Sequence, residues 1–131
     1  MHDFMYYFAT THKSFDKTVA DLKLAVTLHG FGILHIHDFA QIFKTKGVDF
    51  AEQCQVFEVC NPSQAKRVLD NDMKLNMALP CRISVFTDKG SVKVGMIRPE
   101  KMISDLSDNG VILEVAKEVD ATMRQIIDET K

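Results

Sequence analysis

The chain has 131 residues, 46% of them hydrophobic and 26% charged, with a net charge of −2. That length suits one domain, residues 1–131, with a core that needs no staples. The small negative charge and the lack of any Lys/Arg run exclude the footprint of a nucleic-acid binder, and no apolar run approaches the ~18 residues of a membrane span.

Residues 3–10 are aromatic-rich (Phe4, Met5, Tyr6, Tyr7, Phe8) and predict a first strand. With no basic leader and no small-residue cleavage site, this segment reads as a strand rather than a signal peptide. Ser14 is the expected N-cap of a helix whose core stripe is Phe15, Val19, Leu22 and Val26, with Gly30 as its stop. Residues 31–37 predict a second strand, and Asp38 caps a short helix over 39–46 closed by Gly47.

A third strand is expected over 52–60. Asn61 then serves as N-cap and Pro62 takes the first helical position, where its missing N–H costs nothing. A helix over 63–69 and a short helical turn over 72–78 lead to Pro80 and a fourth strand over 81–87. Asp88-Lys89-Gly90 makes a tight hairpin into a fifth strand, 91–97. Pro99 opens another short helical piece, Asp108-Asn109-Gly110 marks a loop, and Ile112, Val115, Ala116, Val119, Met123, Ile126 and Ile127 trace one face of a long final helix.

This order predicts an α+β domain with a mostly antiparallel sheet and both long helices on one face. A sheet wet on its other face should alternate apolar with polar residues. Here Phe4, Tyr6 and Phe8 alternate with Met5, Tyr7 and Ala9, and Val92, Val94 and Met96 with Gly95 and Ile97. The expectation is a homodimer, the second copy covering the face that two helices cannot reach.

Several motifs, in this order, resemble the domain of unknown function 302 family, small bacterial and archaeal proteins of unassigned activity. They are residues 13–19 (KSFDKTV), 30–34 (GFGIL), Val59-Cys60-Asn61-Pro62 with Ala65, 79–83 (LPCRI) and Ile97-Arg98-Pro99. The resemblance implies a strand–helix–four strands–helix fold like half of a TATA-binding protein, and a homodimer. It implies no reaction. Members often carry Glu where Ile36 stands in this chain. The basic saddle with which a TATA-binding protein holds DNA is missing, so the fold likeness carries no function.

Cys60 and Cys81 are the sharpest candidates for chemistry. One ends a strand and the other begins the next, so antiparallel pairing would bring both thiols to one end of the sheet. Cys60 also precedes a helix N-terminus, whose dipole lowers a thiol's pKa where water reaches it; apolar burial acts the other way. A redox pair, a persulfide carrier or a soft-metal site could be built there, while the bland reading is two small packed residues. Asn61, Pro80 and Met77 complete the expected ligand site around this pair. His35 and His37 leave one face of a strand and could begin a metal site with Asp38 or His2. Met73, Met77 and Met96 could join the thiols around a soft metal, though methionine more often fills gaps. Arg82, Lys93 and Arg98 could hold an anion. An odd cysteine count (Cys54 is the third) without CxxC spacing suggests a reducing cytoplasm. No phosphate loop, dinucleotide fingerprint or nucleophile elbow occurs.

The sequence therefore leads to a cytoplasmic homodimeric binding or accessory module, with no expected cofactor and a small-molecule or thiol-dependent site near Cys60 and Cys81. The alternatives are a sulfur-transfer or redox protein using Cys60, and a purely structural interaction module.

Overall fold

Five strands form one antiparallel sheet in the computed structural model, which describes residues 3–131. They are β1 (Tyr6–Thr11), β2 (Gly32–Asp38), β3 (Cys54–Cys60), β4 (Cys81–Asp88) and β5 (Ser91–Ile97), and their order across the sheet is β1-β5-β4-β3-β2. The helices are α1 (Phe15–Leu28), α2 (Phe39–Thr45), α3 (Pro62–Asn71), α4 (Pro99–Ser104) and α5 (Gly110–Thr130). The architecture is the expected α+β arrangement.

Local chemistry places most boundaries. Ser14 Oγ accepts from the Lys17 N–H at 3.1 Å and starts α1, whose Phe15, Val19, Leu22 and Val26 are buried as the stripe predicts. Asn61 Oδ1 accepts from the Gln64 N–H at 3.3 Å and Pro62 opens α3. The hairpin between β4 and β5 turns on Lys89 and Gly90, both with positive φ (51° and 90°), as a two-residue turn matched to strand twist requires.

The structure differs from expectation in several details. The first strand begins at Tyr6, because residues 3–5 form a single 3-10 turn. The loop expected over 108–110 ends one residue sooner: Asn109 is the N-cap of α5, its Oδ1 accepting from the N–H groups of both Val111 and Ile112, and Gly110 is already helical. In β2 the register shifts between Ile33 and His35. This bulge puts Ile33 opposite Val59 and Ile36 opposite Phe57, so both isoleucines share the core face although they are three residues apart.

One sheet face is covered. Phe57, Val59, Ile83, Val85 and Val94 are completely buried there, in a single core with Leu22 and Val26 of α1 and Ile112, Met123, Ile126 and Ile127 of α5. At about 25 cal/mol per Å², each such side chain contributes roughly 1.5–3 kcal/mol. No helix of the described residues is long and apolar enough to cross a membrane.

Candidate functional site

The strand junctions singled out in the sequence meet at one end of the sheet. Val59 pairs with Cys81 and Gly32 with Cys60, and the Leu79–Pro80 peptide is cis. Cys60, Asn61, Pro80 and Cys81 line the same cavity, with Phe31, Val68 and Val119 closing it. Its volume is about 30 Å³, room for little more than one water-sized group. Met77 does not line it; 80% exposed, it borders a separate cleft near Leu106. Met96 is buried in the core and Met73 is exposed, so the three methionines do not converge on the thiols.

The electrostatics of the thiols run opposite to a helix-activated cysteine. Burial pushes the Cys60 thiol up, and Asn61, rather than sulfur, receives the free N–H of the helix start. Cys81 keeps some surface, yet its apolar surroundings push its thiol up to about 11, with the nearby Cys60 adding to the effect. Burial also raises Cys54, helped by Asp38. Of the two opposing influences expected at Cys60, helix dipole and apolar burial, burial prevails.

Pro80 and Cys81 also line a second, larger space on the open face of the sheet, a groove of about 300 Å³. The register explains its floor. Phe8 pairs with Gly95, Gly95 with Ser84, Ser84 with Val56, and Val56 with His37, so this row crosses all five strands on one face. Its centre, Gly95-Ser84-Val56, is made of small side chains. Gly95 must be glycine, because a Cβ there would sit 2.3 Å from Phe8 Cβ and 3.0 Å from the Tyr7 carbonyl oxygen. Tyr6, Phe8, Phe86 and Ile97 form apolar walls, and Arg82 stands among the lining residues. Sequence reading passed over Gly95 and Ser84, although a glycine inside a strand signals close approach.

The remaining candidates fall into place around this groove. Arg98 is not free for an external anion. Its Nε lies 3.3 Å and its NH2 3.1 Å from oxygens of Asp120, a fully buried residue of α5 that also accepts the Glu100 N–H at 3.1 Å. Lys93 lies 3.7 Å from Asp88 and 5.5 Å from the centre of the Phe8 ring. Arg82 makes no ion pair among the described residues, and its cross-strand partner Glu58 turns to His37 Nε2 at 2.9 Å. That contact, with Arg82 and His35 nearby, holds the Glu58 carboxyl below its ordinary value.

His35 and His37 share the open face, their ring centres 4.4 Å apart. With Asp38 they border a shallow hollow beside α2, and among the described residues no three His, Cys, Asp or Glu groups are placed to hold a metal ion. His2 lies outside the described residues. From His37 an aromatic series runs through Phe39 and Phe43 to Phe50, along a helix with no buried residue.

Comparison with known proteins gives a consistent picture. A family model described as "Domain of unknown function DUF302" matches residues 6–130. The crystal structure of an uncharacterized conserved DUF302 protein from Bacillus stearothermophilus is similar, with a TM-score of 0.90 and 25% sequence identity over 97% of this chain and 98% of that one. No curated protein matches the chain.

Proposed function

The chain belongs to the DUF302 family, and from that premise we propose that it is a small-molecule binding module whose ligand lies in the groove on the open sheet face. The observation carrying this reading is the groove itself. Its volume of about 300 Å³ is tenfold that of the cavity behind Cys60 and falls at the lower end of the range for ligand sites. It joins apolar walls to a few polar groups, Ser84 and Arg82, and its floor is kept open by Gly95. Pro80 and Cys81 form one end of it, while Cys60 and Asn61 lie behind that end and shape the junction. The raised thiols of Cys60 and Cys81 favour packing over nucleophilic sulfur chemistry. Three free thiols suit a reducing cytoplasm. The mixture of Arg82, Lys93, Glu58 and Asp88 on the open face gives no support to nucleic-acid binding.

The neutral dye N-phenyl-1-naphthylamine tests the reading. Saturable fluorescence enhancement is expected, reduced severalfold by Ser84→Trp, which fills the groove floor, with an unchanged circular dichroism spectrum. Enhancement that Ser84→Trp leaves untouched would remove the groove as the site.

The aromatic arm favours an assembly. Leu34, Ile42, Val48 and Phe50 are exposed at the β2 end of the sheet, across the open face from the groove, and α2 buries none of its residues. Apolar surface of this extent is rarely left on a monomer, and a second copy seated on the arm would leave the groove accessible. Sedimentation at micromolar concentration should give twice the chain mass and Phe43→Glu the single mass; a monomeric native chain would refute it.

A further inference from the structure

We infer that the groove selects small apolar molecules carrying a carboxylate, with Arg82 as the group that holds it; this rests on the groove being the binding site. Among the described residues that line the groove, Arg82 is the single charged one, and no acid opposes it there. It is exposed and without an ion-pair partner within the described chain. The carboxylate best placed to neutralise it, Glu58 on the neighbouring strand, is turned toward His37.

The other basic groups of this region are already engaged. Arg98 holds Asp120 and Glu100, and Lys93 lies over Phe8 and near Asp88. An arginine offers a planar pair of N–H donors that fits a carboxylate. Beside it the Ser84 hydroxyl lies on the floor and can donate one more hydrogen bond. The rest of the wall is aromatic or aliphatic, so the body of the ligand is a ring or short chain. The volume matches one ring with a short acidic arm. Charge and shape together give the class: one carboxylate at the Arg82 end and an apolar body reaching toward Phe8 and Ile97.

Three acid–amide pairs test this on the native chain, with backbone amide NMR shifts as readout: phenylacetate and phenylacetamide, 4-phenylbutyrate and 4-phenylbutyramide, hexanoate and hexanamide. The acids should shift the amides of Ser84, Gly95 and Ile97 and bind about tenfold tighter than their amides, a preference that weakens as salt is raised. Arg82→Gln, a change on an exposed side chain, should bring the acids level with their amides and remove the salt dependence of acid binding. Equal binding of acids and amides at these positions would overturn the carboxylate assignment and leave the groove as a binding site. No shift of these amides with any of the six would overturn both. An acid preference that survives Arg82→Gln would move the anion contact elsewhere and overturn the role given to Arg82.

Discussion

The two faces of one sheet differ in how their side chains fill space. On the covered face, Val94, Val85, Ile83 and Phe57 interlock with α1 and α5 and are sealed from water. On the open face, the same strands present Phe8, Gly95, Ser84, Val56 and His37, a row narrow at its centre and aromatic at one end. Both faces are rich in apolar atoms, so hydrophobicity alone does not separate core from site. Volume does: side chains that alternate in size to fill space make a core, and a run of small ones in a single row leaves a groove.

The sharpest way to break this comparison is a matched pair of truncations. Phe57→Ala, on the sealed face, should cost about 3–5 kcal/mol in urea unfolding, because the cavity it leaves cannot collapse. Phe8→Ala, where the native ring is 55% exposed, should cost about 1 kcal/mol or less. Equal losses would mean that the open face is packed as tightly as the core in solution.

A smaller effect comes from the groove floor. Gly95→Ala puts a methyl group into Phe8 Cβ and the β1 backbone, and should cost roughly 1–3 kcal/mol while parting β1 from β5. Faster amide hydrogen exchange confined to β1 and β5 would confirm it. A neutral substitution would mean that β1 moves freely and that Gly95 does not set the groove.

The smallest effect concerns the wall between cavity and groove. Because the Cys81 thiol is raised from 9.0 to about 11, its neutral form stabilises the fold fully below pH 9, and that contribution is lost as pH rises through 11. The loss should be roughly 1–2 kcal/mol, read as the difference in urea midpoint between the native chain and Cys81→Ala from pH 8 to 11.5. Curves that stay parallel over that range would place Cys81 in water, in contact with any ligand.

Much of the fold was legible because the signals are local. Ser14, Asp38 and Asn61 cap the helices that follow them, Pro62 opens α3, and the apolar stripe of α5 stands clear in the sequence. The same stripe hid Asp120, whose burial is made tolerable by Arg124 one turn on in α5 together with Arg98 from a different element. The Cys60–Cys81 junction was legible as a place. Its chemistry was not, since the direction in which a thiol shifts depends on what surrounds it.

The sequence by itself determined the elements, their order and the face each long helix buries, since periodicity and capping act over a few residues. Tertiary structure alone decided which residues share a row. The bulge at Leu34 reverses the facing of β2 between Ile33 and His35, and it can be seen only against the register of β3. Likewise, Gly95 meets Phe8 through a pairing between strands far apart in the chain, and the groove exists because three strands align their small residues, Gly95, Ser84 and Val56. Cross-strand register is a long-range property, fixed by how the whole sheet packs against α1 and α5.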